Sequence, residues 1–230
     1  MLKCLNCPQL GKNPFCSLGS DAQAFLEESS TELSYPQGSI IFREGDQSHA
    51  VYFLCSGKVK LCASSKDGRT MILRIAQTGE VLGISAALAK GEFEVTAEVL
   101  EPSSVRVLKI KDFDQMLHRY EEASAAAAKS LVRDYKAAFD DARMLALSSS
   151  AKSRLAMLIL GWSATNAKLP VPAAFIKMTF THDDLGAMTA TSRETMTRAL
   201  GQLQRDKIIA VHGIALTVLN PSALEAYATS

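Results

Sequence analysis

Between Lys111 and Leu147 the chain has neither proline nor glycine, and apolar or small side chains recur there at Ala128, Leu131, Tyr135, Ala138, Ala142 and Leu145. Alternating steps of three and four put these residues on one narrow helical stripe, the spacing of a coiled-coil seam. Charged residues such as Lys129, Arg133, Asp140 and Arg143 stand between them. So narrow a stripe suits one facing helix better than a broad core, and a second copy of the chain is the expected partner. A helix lying across its own domain is the plainer alternative.

Upstream of this run the pattern is extended. From about Tyr35 to Ile110 short β-rich runs, "SIIFREGD", "AVYFLCSG", "KVKLCASSKDG", "TMILRIAQTGE", "VTAEVLEP" and "SVRVLKI", are separated by turn residues. Gly38, Gly45, Gly57, Gly68, Gly79 and Gly83 supply the punctuation, and such spacing reads as a β-sandwich or barrel.

Downstream, "LSSSAKSR" reads as a hinge into a further domain, followed by the helical "AKSRLAMLILGWSAT" and a proline-containing connection that ends in a short strand. In "THDDLGAM" Thr181 and Asp184 fit a capping pattern; the turn "TAT" and the helix "SRETMTRALGQL" follow, then two β-runs around His212 and Gly213. Helix, turn, helix and hairpin in that order make a winged helix-turn-helix. On its second helix Arg193, Glu194, Thr197 and Arg198 share one arc, with Met196, Ala199, Leu200 and Leu203 opposite. The net charge of the chain is only +1, yet residues 148–230 hold eight Lys and Arg against five Asp and Glu. That mild excess lies where an acidic groove would be met.

The segment "FTHDDLGAMTATSRETMTRALGQLQRDKIIAVHG" resembles the DNA-binding domain of the Crp/Fnr family of bacterial transcription regulators, with "SRETMTR" close to its recognition-helix signature. "YPQGSIIFREGDQSHAVYFLCSGKVKLC" resembles the opening of a cyclic-nucleotide-binding-type β-roll, so the likeness extends over nearly the whole chain. It implies an α+β protein: a Cys-containing segment at 1–19, a β-roll (jelly roll) sensor at 20–110, a long dimerisation helix at 111–147 and a winged helix-turn-helix at 148–230. It also implies a homodimer on double-stranded DNA with a TGA-like inverted repeat, and encounters with RNA polymerase. Ser192, Arg193, Glu194, Thr197 and Arg198 occupy the family's DNA-contacting positions. Arg can pair in bidentate fashion with guanine O6 and N7, and Glu can accept from cytosine N4. Ser192 and Thr197 suit phosphate or a thymine methyl. The alternative for Glu194, three residues after Thr191, is to close a capping box.

What the β-roll senses is less direct. In nucleotide-binding relatives a Glu holds the ribose and an Arg, about ten residues on, pairs with the cyclic phosphate. Here Ile84 and Ser85 stand in the place of the Glu and its neighbour, Val95 in that of the Arg, with Glu94 beside it. A buried phosphate without a cation is strongly disfavoured, so no useful affinity for cyclic nucleotide is expected.

Cys4, Cys7 and Cys16 resemble the iron–sulfur-binding segment of the family's oxygen-sensing branch. Four thiolates are usual for such clusters. That branch draws its fourth from near the end of the β-roll, where this chain reads "EPSSVRVLKI" without a cysteine. Strand alternation puts Cys55 on the face of Val51 and Phe53, as core packing, and Cys62 on that of Lys58 and Lys60, as an exposed thiol. Three readings stay open: an oxygen- or nitric-oxide-labile iron–sulfur cluster with another fourth ligand, redox thiols or a zinc site, and a segment without metal in a regulator governed by an unidentified ligand.

An enzyme is not expected, because His49, His118, His182 and His212 are scattered and no phosphate-cradling loop or activated nucleophile stands in a recognised setting. A regulatory small-molecule-binding module without DNA activity is the rival, and it has no need of Arg193 and Arg198 on an exposed face. No stretch approaches the roughly 20 apolar residues of a membrane span and the start lacks a signal-peptide pattern, so a cytoplasmic protein that does not engage membranes is expected.

Overall fold

The runs on either side of Gly57 read as two strands from sequence, but the chain does not break there. In the computed structural model, which describes residues 7, 9, 11, 13–68, 70–165, 175–177 and 180–229, both belong to one bent strand, β3 (Ala50–Ser64). Likewise "VTAEVLEP" and "SVRVLKI" form a single strand, β6 (Thr96–Lys109). The two pair antiparallel along their length, with register shifts between Leu54 and Ser56, Ser56 and Lys58, and Lys58 and Val59. Gly57 has φ +89°, and a Cβ there would lie 2.6 Å from the Pro102 carbonyl oxygen. The glycine thus lets two long strands bend together at close approach instead of ending them.

Around this pair lie β1 (Thr31–Tyr35) and β2 (Ile40–Phe42) on β6, and β4 (Thr70–Gln77) and β5 (Val81–Leu82) on β3. Inside the roll Phe42 stacks on Phe93 with ring centroids 3.9 Å apart, among Leu54, Val59, Leu82 and Val105. A second core, around Phe53, Phe113 and Met116, is closed by the helices α1 (Ser20–Ser29), α2 (Ile84–Ala89) and α3 (Ile110–Arg119) and by the start of α4 (Glu121–Leu147).

The proline- and glycine-free run is therefore two helices, not the single helix expected over 111–147. Tyr120 interrupts it with extended backbone, φ −126° and ψ 109°. Its ring packs 5.8 Å from that of Phe25 on α1, and the Arg119 guanidinium lies 5.3 Å from its centroid. Tertiary anchoring overrides a sequence that propensity alone would continue as helix. Beyond the break Ala123, Ala126, Ala127 and Ser130 are buried and Leu131 packs on the same core.

The chain divides into two compact units, Met1–Ala138 and Phe139–Ser230. The second contains α5 (Ala151–Thr165), β7 (Phe175–Lys177), α6 (His182–Met188), α7 (Arg193–Arg205), β8 (Ile209–His212), β9 (Ala215–Val218) and α8 (Pro221–Ala228). The three strands form a sheet in the order β7–β9–β8. Among the described residues no helix is long and apolar enough to cross a membrane.

Candidate nucleic-acid interface and cysteine-lined cavity

The capping pattern read from Thr181 and Asp184 is present in full. Asp184 N–H donates to Thr181 Oγ1 at 3.1 Å and Thr181 N–H to Asp184 Oδ2 at 2.9 Å, which starts α6. The turn that ends it is tight. A Cβ on Gly186 would lie 2.8 Å from the Thr191 carbonyl oxygen, and Ala190 takes the left-handed conformation at φ +49°. Only a glycine at 186 lets the turn fold back this closely, and that sets the angle at which α7 leaves.

Helix α7 buries Met196, Ala199, Leu200 and Leu203 and exposes Arg193, Glu194, Thr197 and Arg198, the division its periodicity predicts. Its N-cap is Ser192, whose Oγ accepts from Thr195 N–H at 3.2 Å and donates to Thr195 Oγ1 at 3.1 Å. The cap therefore lies one residue later than a Thr191–Glu194 capping box requires, and the box is not formed. Glu194 lies in the first turn, its carboxyl held below the ordinary value. The largest cause is hydrogen bonding to its own backbone amide, followed by the Ser192 hydroxyl; Arg193 and Arg198 add to it against slight desolvation.

The remaining polar groups orient one another. Arg193 Nη1 lies 3.3 Å from Asp183 Oδ2 of α6, an exposed pair that holds the guanidinium loosely. Arg198 donates from Nε to the Glu194 carbonyl and from Nη2 to Thr195 Oγ1, both at 3.4 Å. Thr197 Oγ1 donates to the Arg193 carbonyl at 2.9 Å and stands 2.9 Å from His182 Nδ1. With its single proton committed to the carbonyl, the hydroxyl oxygen accepts from His182 Nδ1–H. His182 is a contributor that sequence reading missed, because nothing in the sequence brings the start of α6 against the middle of α7.

In the first unit a small cavity of about 50 Å³, partly open to solvent, is lined by Cys7, Cys16, Cys55, Gln23, Arg106 and Phe53, among others. Cys4 lies outside the described residues. The expectation for the strand cysteines is reversed: Cys62 is buried, and Cys55 is half-buried at the cavity wall. Register shifts in β3, including one between Leu61 and Cys62, cancel the simple alternation. The stretch "EPSSVRVLKI" does reach the cavity, but with a guanidinium. Arg106 is almost fully buried, 3.4 Å from Glu32 Oε2 and 3.5 Å from Ser30 Oγ.

Gln23, also buried, donates from Nε2 to the Leu18 carbonyl at 2.9 Å, while its Oε1 has no hydrogen-bond partner among the described residues. An unmet buried acceptor costs roughly 1–3 kcal/mol, and only a hydrogen-bond donor can satisfy it. Thiols and apolar side chains line the cavity, and the Arg106 guanidinium there is paired with Glu32. Among the described residues, however, no three His, Cys, Asp or Glu side chains are gathered closely enough to hold a metal ion as they stand.

From the cavity wall a set of contacts runs to α4. Asn13 Nδ2 donates to the Thr78 carbonyl at 3.3 Å, and Gly79 packs so tightly on Asn13 that a Cβ would fall 1.8 Å from that Nδ2. The next residue, Glu80, pairs with Arg74 and, at 3.6 Å, with Arg133 of α4; Arg74 Nη2 also lies 3.2 Å from Asp134. In the region expected to hold nucleotide, Ser85 Oγ donates to Glu94 Oε2 at 3.0 Å, Ile84 is core, and Val95 packs against the interior of the roll.

Along α4 the expected seam is partly redrawn. Ala128, Tyr135, Ala138 and Ala142 are exposed, Leu145 is half-buried, and Leu131 packs on the core of its own unit. Val132 and Phe139, each 54% accessible, are exposed with Tyr135 at 70%.

Comparison with known proteins agrees with this architecture. Residues 32–120 match the cyclic nucleotide-binding domain and residues 153–227 the Crp-like helix-turn-helix domain. The chain is 28% identical over 191 residues to the cyclic AMP receptor protein of Thermus thermophilus, covering 83% of this chain and 85% of that one. It is 26% identical over 193 residues to the fumarate and nitrate reduction regulatory protein of Salmonella typhimurium, covering 84% and 76%. In fold it is similar to FixK2 from Bradyrhizobium japonicum, with a TM-score of 0.74 at 23% identity over 87% of this chain and 98% of that one.

Proposed function

The chain belongs to the Crp/Fnr family of DNA-binding transcription regulators, and we propose that it acts as a homodimer on an inverted repeat with TGA-like half-sites, answering to oxygen, nitric oxide or redox state. The observation that carries the DNA reading is α7, which buries its apolar face and exposes two arginines and an ionised glutamate. One of these guanidiniums pairs with guanine, and Glu194 accepts from cytosine N4. Thr197 and the helix N-terminus, capped by Ser192, lie against backbone or a thymine methyl. Helices related by a twofold axis then meet half-sites about one helical turn apart.

Dimerisation runs through α4, along Ala128, Tyr135, Ala138 and Ala142, with Val132 and Phe139 added. The division of labour is a sensor over 20–110, a pairing region within 111–147 and a DNA-binding domain over 148–230. RNA polymerase is the further partner.

The signal enters at the cysteine-lined cavity. An iron–sulfur cluster, if bound by the N-terminal cysteines, would supply a centre labile to oxygen or nitric oxide. Cys7 and Cys16, with Cys4, would be its thiolate ligands. Cyclic nucleotide is not the signal, since the Ser85–Glu94 pair presents a carboxylate where a phosphate would need a cation.

The test is fluorescence anisotropy of the full chain with an inverted-repeat duplex and a scrambled one, over a range of salt and with or without air. A regulator of this kind binds the scrambled duplex weakly with a steep inverse salt dependence, binds the repeat more tightly, and changes that preference on exposure to air. A chain that binds neither duplex is a small-molecule module, and the proposal fails.

A further inference from the structure

We propose that Arg154, in the first turn of α5, is a positioning residue for the recognition helix: through the turn between α6 and α7 it sets how α7 is presented to the base edges. The inference rests on the DNA reading above and extends it to a residue that lies on neither helix of the helix-turn-helix. Arg154 Nε donates to the Thr189 carbonyl at 2.7 Å. Thr189 is the C-cap of α6 and is fully buried.

The last carbonyls of a helix have no partner within it and carry the negative end of its dipole, so a guanidinium is well suited to them. Here the bond falls at a strained place. Within the next two residues Ala190 takes the left-handed conformation at φ +49°, and Thr191 N–H donates to the Gly186 carbonyl at 2.9 Å. Ser192, the N-cap of α7, follows at once. With so few residues between the two helices, a charge-assisted bond at the first of them fixes the direction in which α7 leaves.

The neighbours of Arg154 on α5 hold the far end of the same arrangement. Ser153, buried beside it, donates from Oγ to the Ala228 carbonyl at 3.3 Å, at the end of α8. Lys152 places its ammonium 4.1 Å from the centroid of the Tyr227 ring, and the Tyr227 hydroxyl donates to Asp206 Oδ2 at 3.0 Å. Asp206 is the C-cap of α7. One turn of α5 thus bears on both ends of the recognition helix, directly at the turn before it and through α8 at the residue after it. None of the three side chains belongs to the exposed face of α7, so what they contribute to base reading is alignment. Hydrogen bonds to base edges depend on alignment, whereas attraction to the phosphates tolerates its loss.

The test is fluorescence anisotropy of the full chain, as wild type, Arg154→Gln, Arg154→Lys and Arg154→Met, with an inverted-repeat duplex carrying TGA-like half-sites and with a scrambled one, at fixed salt. Circular dichroism melts identify the variants that are folded at the assay temperature; should Arg154→Met not fold, the Gln and Lys variants decide. Gln carries an N–H donor the same number of bonds from Cα as Arg Nε, but no charge; Lys keeps the charge with its nitrogen one bond further out, and Met has neither. The readout is the ratio of the two affinities, which a general loss of folded protein leaves unchanged. The ratio is expected to stay near the wild-type value in Arg154→Gln and to fall about tenfold in Arg154→Lys and Arg154→Met, with affinity for the scrambled duplex little changed. A wild-type ratio in folded Arg154→Lys, or a ratio as low in Arg154→Gln as in Arg154→Lys, would overturn this inference alone. A wild-type chain that prefers neither duplex would overturn the DNA reading together with it.

Discussion

His182 Nδ1 and Thr197 Oγ1 stand 2.9 Å apart, so a side chain on the first helix of the helix-turn-helix fixes one on the exposed face of the second. Thr197 is held from both sides, by His182 and by the Arg193 carbonyl. A hydrogen bond of this kind is worth about 0.5–1.5 kcal/mol net. His182→Ala should therefore weaken binding to the preferred duplex roughly threefold to tenfold, with little change for random DNA, as measured by anisotropy at fixed salt. Equal losses on both duplexes would mean that His182 only contributes charge.

Glu194 is the sharper probe of sequence reading. Glu194→Ala should relax the preference at one C·G pair by about 1–3 kcal/mol and leave nonspecific affinity nearly intact. The carboxyl is held below its ordinary value, so it stays ionised through the neutral range. Its contribution is present above the unfolded value and is lost only as pH falls through the lower folded one. The preference at that base pair should accordingly be the same at about pH 8 and about pH 6. Relative affinities for single-base variants of the duplex, taken at both pH values, measure it.

On α4, neighbouring residues should behave differently. Val132 is exposed, whereas Leu131 packs on the core of its own unit. Val132→Asp should shift the protein from dimer to monomer in sedimentation, with the melting temperature of the β-roll nearly unchanged. Leu131→Asp should lower that melting temperature, because it buries an unpaired charge. The opposite pattern would return the pairing seam to Leu131.

Glu80 follows the glycine at the cavity wall and reaches Arg133 on α4. Arg133→Ala should narrow the difference in duplex affinity between anaerobic and air-exposed protein at least threefold, while the iron content stays as in wild type. An unchanged difference would place the coupling elsewhere.

Features that depend on local periodicity were legible in the sequence. The Thr181–Asp184 cap, the buried and exposed faces of α7, and the β-rich character of residues 35–110 follow from neighbours a few residues apart. What depended on distant contacts was not. The break at Tyr120 needs Phe25 of α1, and the continuity of β3 and β6 needs their mutual bend at Gly57. Cys55 and Cys62 were misplaced because alternation assumes an unbroken pleat, and the register shifts of β3 remove it. His182 was missed for the same reason as the helix break, since its partner lies on another helix.

The most direct measurement is a selection from randomised duplex DNA with the wild-type chain. Enrichment of an inverted repeat with TGA-like half-sites, centred about one helical turn apart, is the expected result for a dimer presenting two copies of α7. Recovery of no enriched sequence, or of a single unrepeated site, would contradict it.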